Sequence, residues 1–132
     1  MKLKKENNNN QSASFLDIQI DIEDGVFHTR LFDKRDNFGF DIVRMPFSCS
    51  NIPNKMFYGS IGAEFLRITR ATSKLDDLIK SSKQLLSRMS NQKGKIQHMQ
   101  RVVLKMIRRH ETDFRKYETN PCDIVHQIGL NE

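Results

Sequence analysis

Apolar and polar residues first fall into a regular order near Phe15. Leu16, Ile18, Ile20 and Ile22 alternate with Asp17, Gln19 and Asp21, the period-two pattern of a half-buried strand. Asp24-Gly25 then marks a hairpin turn, because glycine accepts the positive φ that a tight turn needs. The return strand runs from Val26 to Phe32, with Phe27, Thr29 and Leu31 on one side. An isolated hairpin is marginal in water, so this one has to pack on something or belong to a larger sheet. Residues 1–13, with lysines and an asparagine run, have no periodic apolar positions and read as a disordered lead-in. Residues 33–53 are irregular, punctuated by Gly39, Pro46 and Pro53. Phe38, Phe40, Ile42 and Val43 form a candidate third extended segment.

The period then changes to that of helices. The first is predicted over about Asn54 to Ala71, with Phe57, Tyr58, Ile61, Phe65 and Ile68 on one face; Pro53 suits its first turn, where a missing N–H costs nothing. The second opens at Ser73, a candidate N-cap with Asp76 three residues on, and buries Leu75, Leu78, Ile79, Leu85, Leu86 and Met89 before Gly94. The third is predicted from about Lys95 to Tyr117. Its apolar stripe, Ile96, Met99, Val103, Met106, Ile107 and Phe114, falls within an arc of about 100°. Arg101, Lys105, Arg108, Arg109, Arg115 and Lys116 fall opposite. Short connections imply antiparallel neighbours. The expected fold is α+β: a lead-in (1–13), a hairpin with an irregular segment (14–53), a basic three-helix, mostly antiparallel bundle (54–117) and an acidic C-terminal tail (118–132).

Charge sharpens this division. The 132-residue chain carries +6 in all. Residues 1–66 hold 8 Lys/Arg and 9 Asp/Glu, residues 67–116 hold 14 and 4, and residues 117–132 hold none and 3. One 50-residue block therefore carries a net +10, which suggests a polyanionic partner more than an evenly basic surface would; a solvated, lysine-rich helical face is the alternative. Arg67, Arg70 and Lys74 share a face at the end of the first helix, and Lys80, Lys83 and Arg88 decorate the second. Aromatics that could stack on bases are lacking in the block, since Phe114 is on the core stripe and Tyr117 at a helix end. Backbone contact with a duplex is the expectation, with a salt slope near −5 for about six phosphate contacts. No apolar run reaches the length of a membrane span, and Met1-Lys2-Leu3-Lys4-Lys5 is followed by asparagines rather than a signal-peptide core. Two cysteines, Cys49 and Cys122, supply no disulfide framework. An intracellular protein, cytoplasmic or nuclear, is expected.

No catalytic constellation can be assembled. His28, His98, His110 and His126 lie on four separate segments, and Cys122 with His126 is at most half a metal site. Phosphate-loop and nucleophile-elbow motifs are absent. Asp76-Asp77 could in principle hold Mg²⁺, but acids in a first helical turn are expected for the dipole alone. No catalytic residue, metal ligand, cofactor or small-molecule substrate is therefore assigned to this chain.

The order of its motifs resembles the downstream end of a retroelement-type reverse transcriptase. The matching wording is Phe15-Leu16-Asp17, then Leu31-Phe32-Asp33-Lys34-Arg35-Asp36, then Ser50-Asn51-Ile52-Pro53 followed by Tyr58, Ile61, Leu66-Arg67 and Arg70. The resemblance covers about residues 12–110. It implies that the hairpin ends a polymerase palm and that the helices are its thumb or connection, which follows a primer–template duplex through the backbone. The parent activity would be RNA-directed DNA polymerisation. The carboxylate motifs that hold Mg²⁺ in that family lie upstream of the matching strand, and Asp76-Asp77 cannot replace them. The implied reading is a transposable-element polymerase fragment without catalysis. Its partner would be an RNA–DNA or DNA duplex, or the upstream polymerase portion. The expected contact residues are Arg67, Arg70, Lys74, Arg101, Lys105, Arg108, Arg109 and Arg115. The alternative is a stand-alone basic helical module that binds nucleic acid or an acidic protein.

Overall fold

The computed structural model describes residues 11–32 and 48–129. It is an α+β arrangement in which an N-terminal sheet precedes the helices. The hairpin forms, but its first strand starts at Ile18 rather than at Leu16, and an additional strand precedes it. Strands β1 (Ser12–Phe15), β2 (Ile18–Glu23) and β3 (Val26–Leu31) form an antiparallel sheet in the order β1-β2-β3. The β2–β3 turn is Asp24-Gly25, both at positive φ (51° and 76°), as a two-residue hairpin loop requires. The β1–β2 turn is Leu16-Asp17, and there Leu16 itself takes φ 54°, a conformation unfavourable for a leucine. That is why β1 was not expected: its sequence, Ser-Ala-Ser-Phe, is weakly apolar, and its turn lacks a glycine or asparagine.

The candidate extended segment at Phe38, Phe40, Ile42 and Val43 lies outside the described residues, as do residues 1–10 of the lead-in and 130–132. The rest is helical. Helix α1 (Asn54–Ala71) follows Pro53, α2 spans Leu75–Asn91 and α3 spans Ile96–Arg109. Two differences from the expected bundle follow from side-chain demands. First, α3 ends at Arg109, and the chain turns at His110 (φ −119°, ψ 42°) into a single-turn helix, α4 (Glu111–Phe114), and a 3-10 turn (Arg115–Tyr117). The turn stacks Phe114 on Phe65 of α1, ring centroids 5.7 Å apart, and brings Tyr117 to the end of that helix. Second, part of the expected acidic tail is a further helix, α5 (Pro121–Ile128). Asn120 caps it by accepting from the Cys122 N–H at 2.9 Å, and Pro121 occupies its first turn. Ile124, Val125 and Ile128 are buried, so this stretch completes the core that α2 and α3 leave open.

The core is continuous through the helices. Phe57, Ile61, Phe65 and Ile68 of α1 meet Leu78, Leu85, Leu86 and Met89 of α2 and Met99, Val103 and Ile107 of α3. Gly62 permits the close approach of α1 to α3: a Cβ there would stand 3.2 Å from both Val102 Cγ1 and Met106 Cε. Ile96, expected in the stripe, is exposed at the start of α3. Ser73 does not cap α2. Its Oγ accepts from the Thr29 N–H at 2.9 Å, while its own N–H donates to the Thr29 carbonyl at 2.9 Å. The sheet is thereby tied to the α1–α2 corner through its β3 edge.

The C-terminal carbonyls of a helix need donors, and α1 obtains them from a distant segment. Tyr117 Oη donates to the Thr69 carbonyl at 2.9 Å and the Thr72 carbonyl at 2.7 Å, and Lys116 Nζ donates to Thr69 at 2.7 Å. Burial holds the phenol well above its usual pKa and pushes that of Lys116 down. Tyr117→Phe leaves buried acceptors under-satisfied and is expected to cost about 1–3 kcal/mol in urea unfolding. The raised phenol pKa means that the folded state keeps its proton where the unfolded chain loses it. The stability that Tyr117 contributes should be intact below about pH 10 and be lost above it, and Tyr117→Phe should blunt that alkaline loss.

Candidate nucleic-acid interface

The eight cations expected to contact phosphate separate into two groups. At the junction of sheet and helices, Arg67, Arg70 and Lys74 are each engaged by carboxylates. Arg67 Nε donates to Glu64, one turn back, at 3.1 Å, and its guanidinium lies 3.6 Å from Asp17 in the β1–β2 turn. Arg70 meets Asp113 of α4 at 3.3 Å. Lys74 Nζ donates to Glu23 at 2.6 Å. This last bond holds the Glu23 carboxyl below its usual range and raises the Lys74 ammonium. These three cations therefore fasten Asp17 and Glu23 of the sheet, and α4, to α1 and the α1–α2 corner.

The second group is on α3. Arg101, Lys105, Arg108 and Arg109 are exposed and, with Leu104 between them, line one open depression of about 500 Å³. None of the four has a carboxylate partner among the described residues. Spacings of three and four residues put them on one side of the helix, held there because Met99, Val103 and Ile107 are buried on the other. Arg108 and Arg109 also occupy the last turn, where the helix dipole favours cations. Arg115 is exposed but sits on the 3-10 turn after the chain has left α3. It does not continue the α3 row as the unbroken third helix had implied.

The titratable groups considered for catalysis remain apart. His28 lies 3.9 Å from Glu23, His98 packs edge-on against Tyr58, His110 ends α3 and His126 is exposed on α5. Asp76 and Asp77 occupy the first turn of α2. No group of three or more His, Cys, Asp or Glu side chains suited to a metal occurs among the described residues. No helix among them is long and apolar enough to cross a membrane.

Sequence reasoning missed the counter-charges. Glu64 three residues before Arg67 was a readable signal; Asp17, Glu23 and Asp113 are 50, 51 and 43 residues from their partners and are paired only by the fold. Comparison with family models, curated proteins and solved structures gives no match to this chain.

A polyanion can use the free α3 cations at once, whereas those at the junction must first give up a carboxylate. Arg101→Ala with Lys105→Ala is therefore expected to weaken binding of a mixed-sequence duplex by about tenfold or more. Arg70→Ala with Lys74→Ala should change it by less than about threefold. Fluorescence anisotropy at fixed salt compares the two pairs.

Proposed function

We propose that this chain is a non-catalytic nucleic-acid-binding portion of a retroelement-type reverse transcriptase, gripping a primer–template duplex through its phosphates. The observation that carries the binding half is the α3 depression: four exposed cations with no paired carboxylate among the described residues, and Leu104 between them. Cations clustered on one helix face make charge-assisted contacts with phosphate oxygens, and no exposed aromatic lines the depression among the described residues, which disfavours stacking on bases. The polymerase half rests on the wording of the motifs from Phe15 to Arg70.

The continuous helical core favours a second reading. Residues 54–128 bury their own apolar stripes, so a basic module that binds nucleic acid without any polymerase portion is compatible with the same interface. Reading the frame upstream of residue 1 separates the two. An acidic strand motif followed by a Tyr/Phe-x-Asp-Asp hairpin favours the polymerase; an in-frame stop codon there favours the module.

The binding proposal makes a quantitative prediction. Four α3 contacts give a slope of log K against log[salt] of about −3.6 on a B-form duplex, at roughly −0.9 per phosphate. Arg101→Glu with Lys105→Glu should reduce the affinity and flatten that slope by about 2. Unchanged affinity and slope would remove α3 from the interface.

A further inference from the structure

The sheet presents a surface that neither nucleic-acid binding nor the helical core uses. Its register places Phe15, Ile18 and Leu31 in one row, Ala13, Ile20 and Thr29 in the next, and Ile22 and Phe27 in the third, all on one face. No charged residue occurs in those rows. Ser12, Ser14, Gln19, Asp21, Glu23, Val26, His28 and Arg30 occupy the opposite face. Only Leu31 of the apolar rows packs against the helical core, because the sheet meets the helices by its β3 edge. Phe15 is 71% exposed, Phe27 68%, and Ile18 and Ile22 37% each, with Leu16 exposed beside them in the turn.

We propose that this face is the interface of a homodimer, in which the sheets of two copies pack face to face as a small sandwich. Three observations select a second copy of the chain. The first is area. With roughly 150–250 Å² for a large side chain fully exposed, these five residues offer about 500 Å² of apolar surface per chain. Two such faces reach about 1,000 Å², the lower bound of a specific interface, and one alone lies in the upper part of the range of about 300–600 Å² for a monomer's largest apolar patch. The second is chemistry: a face without charge or buried donors selects an equally apolar partner and gives a charged one nothing to pair with. The third is shape. The two phenylalanines stand at opposite corners, Phe15 on β1 at one end and Phe27 on β3 at the other. A two-fold axis along β2 lays Phe15 over the partner's Leu31 and Ala13 over the partner's Thr29. Ile18, Ile20 and Ile22 meet their own copies along the axis, so that the phenylalanines avoid one another in the aligned packing that two sheets about 10 Å apart adopt.

The dimer is independent of the nucleic-acid reading, and salt distinguishes them. Each chain carries +6, so salt screens repulsion between copies and strengthens an apolar dimer, while it weakens phosphate contacts. Sedimentation velocity on the full chain, up to about 100 μM and at low and high salt, is the test. Expected is a discrete monomer–dimer equilibrium that shifts to dimer with salt. Phe27→Asp should raise its dissociation constant by at least about tenfold with an unchanged circular-dichroism melt, and Arg101→Glu should not weaken it. Phe15→Asp, equally exposed at the opposite corner, gives the same reading if Phe27→Asp fails to fold. A monomer throughout the range overturns the proposal, as does a dimer indifferent to both substitutions. Open-ended growth overturns it too, since that would mean pairing through the β1 edge rather than the face.

Discussion

Burial of the α1 stripe is the constraint on which the remaining architecture depends. Phe57, Ile61, Phe65 and Ile68 lie on one helical face, and each is almost wholly inaccessible. No single neighbour covers that face. Helices α2 and α3 flank it, Gly62 lets α3 come close, and Phe114 has to leave the line of α3 to stack on Phe65. The break at His110 is thus a consequence of covering α1. Once the chain has turned there, Tyr117 arrives where α1 ends and supplies the donors its last carbonyls lack. Packing and hydrogen bonding are satisfied by one redirection of the backbone.

That redirection also divides the basic block. An unbroken helix to Tyr117 would carry its cations as one long stripe ending in Arg115 and Lys116. Instead Lys116 turns inward to Thr69 and the stripe ends at Arg109. Arg70 is meanwhile held by Asp113, which α4 brings to it. Part of the net +10 in sequence goes to internal contacts, and of the cations expected to meet phosphate the row that stays exposed together is the one on α3. A cluster of cations sharing one rigid face loses less side-chain freedom on meeting a polyanion than scattered lysines do.

What the sequence disclosed depended on the range of the interaction. The alternation over Ile18–Ile22 and the Asp24-Gly25 turn are local and appear in the sheet, whereas Leu16, which opens the alternating run, falls in a turn. The apolar faces of the three long helices are likewise local and were legible nearly residue by residue. The failures were long-range or locally contradictory. Strand β1 has a weak apolar pattern and a turn built on Leu16 at positive φ, which local chemistry argues against. Helix α5 looked like a tail because eight residues with an acid and a histidine carry little signal until α2 and α3 leave a space for Ile124, Val125 and Ile128. The same holds for the interface. The α3 cations were placed correctly by helical period, whereas Arg67, Arg70 and Lys74 looked equivalent to them until the fold brought Asp17, Asp113 and Glu23 alongside.

The two surfaces left over are chemically opposite, and the junction between them explains how one short chain sustains both. The α3 face is cationic and wet, and the sheet face is apolar and uncharged. A direct join would place apolar surface within the field of uncompensated charge. Between them stand the pairs Arg67–Asp17 and Lys74–Glu23, neutral as units, with Thr29 and Ser73 exchanging hydrogen bonds beneath them. Exposed ion pairs contribute little stability on their own; here their consequence is positional. They fix the sheet to the end of α1 by its edge, which leaves its apolar face exposed, and they engage two cations, Arg67 and Lys74, beside it. The neutralised junction is therefore what keeps the cationic character on α3 and the apolar character on the sheet.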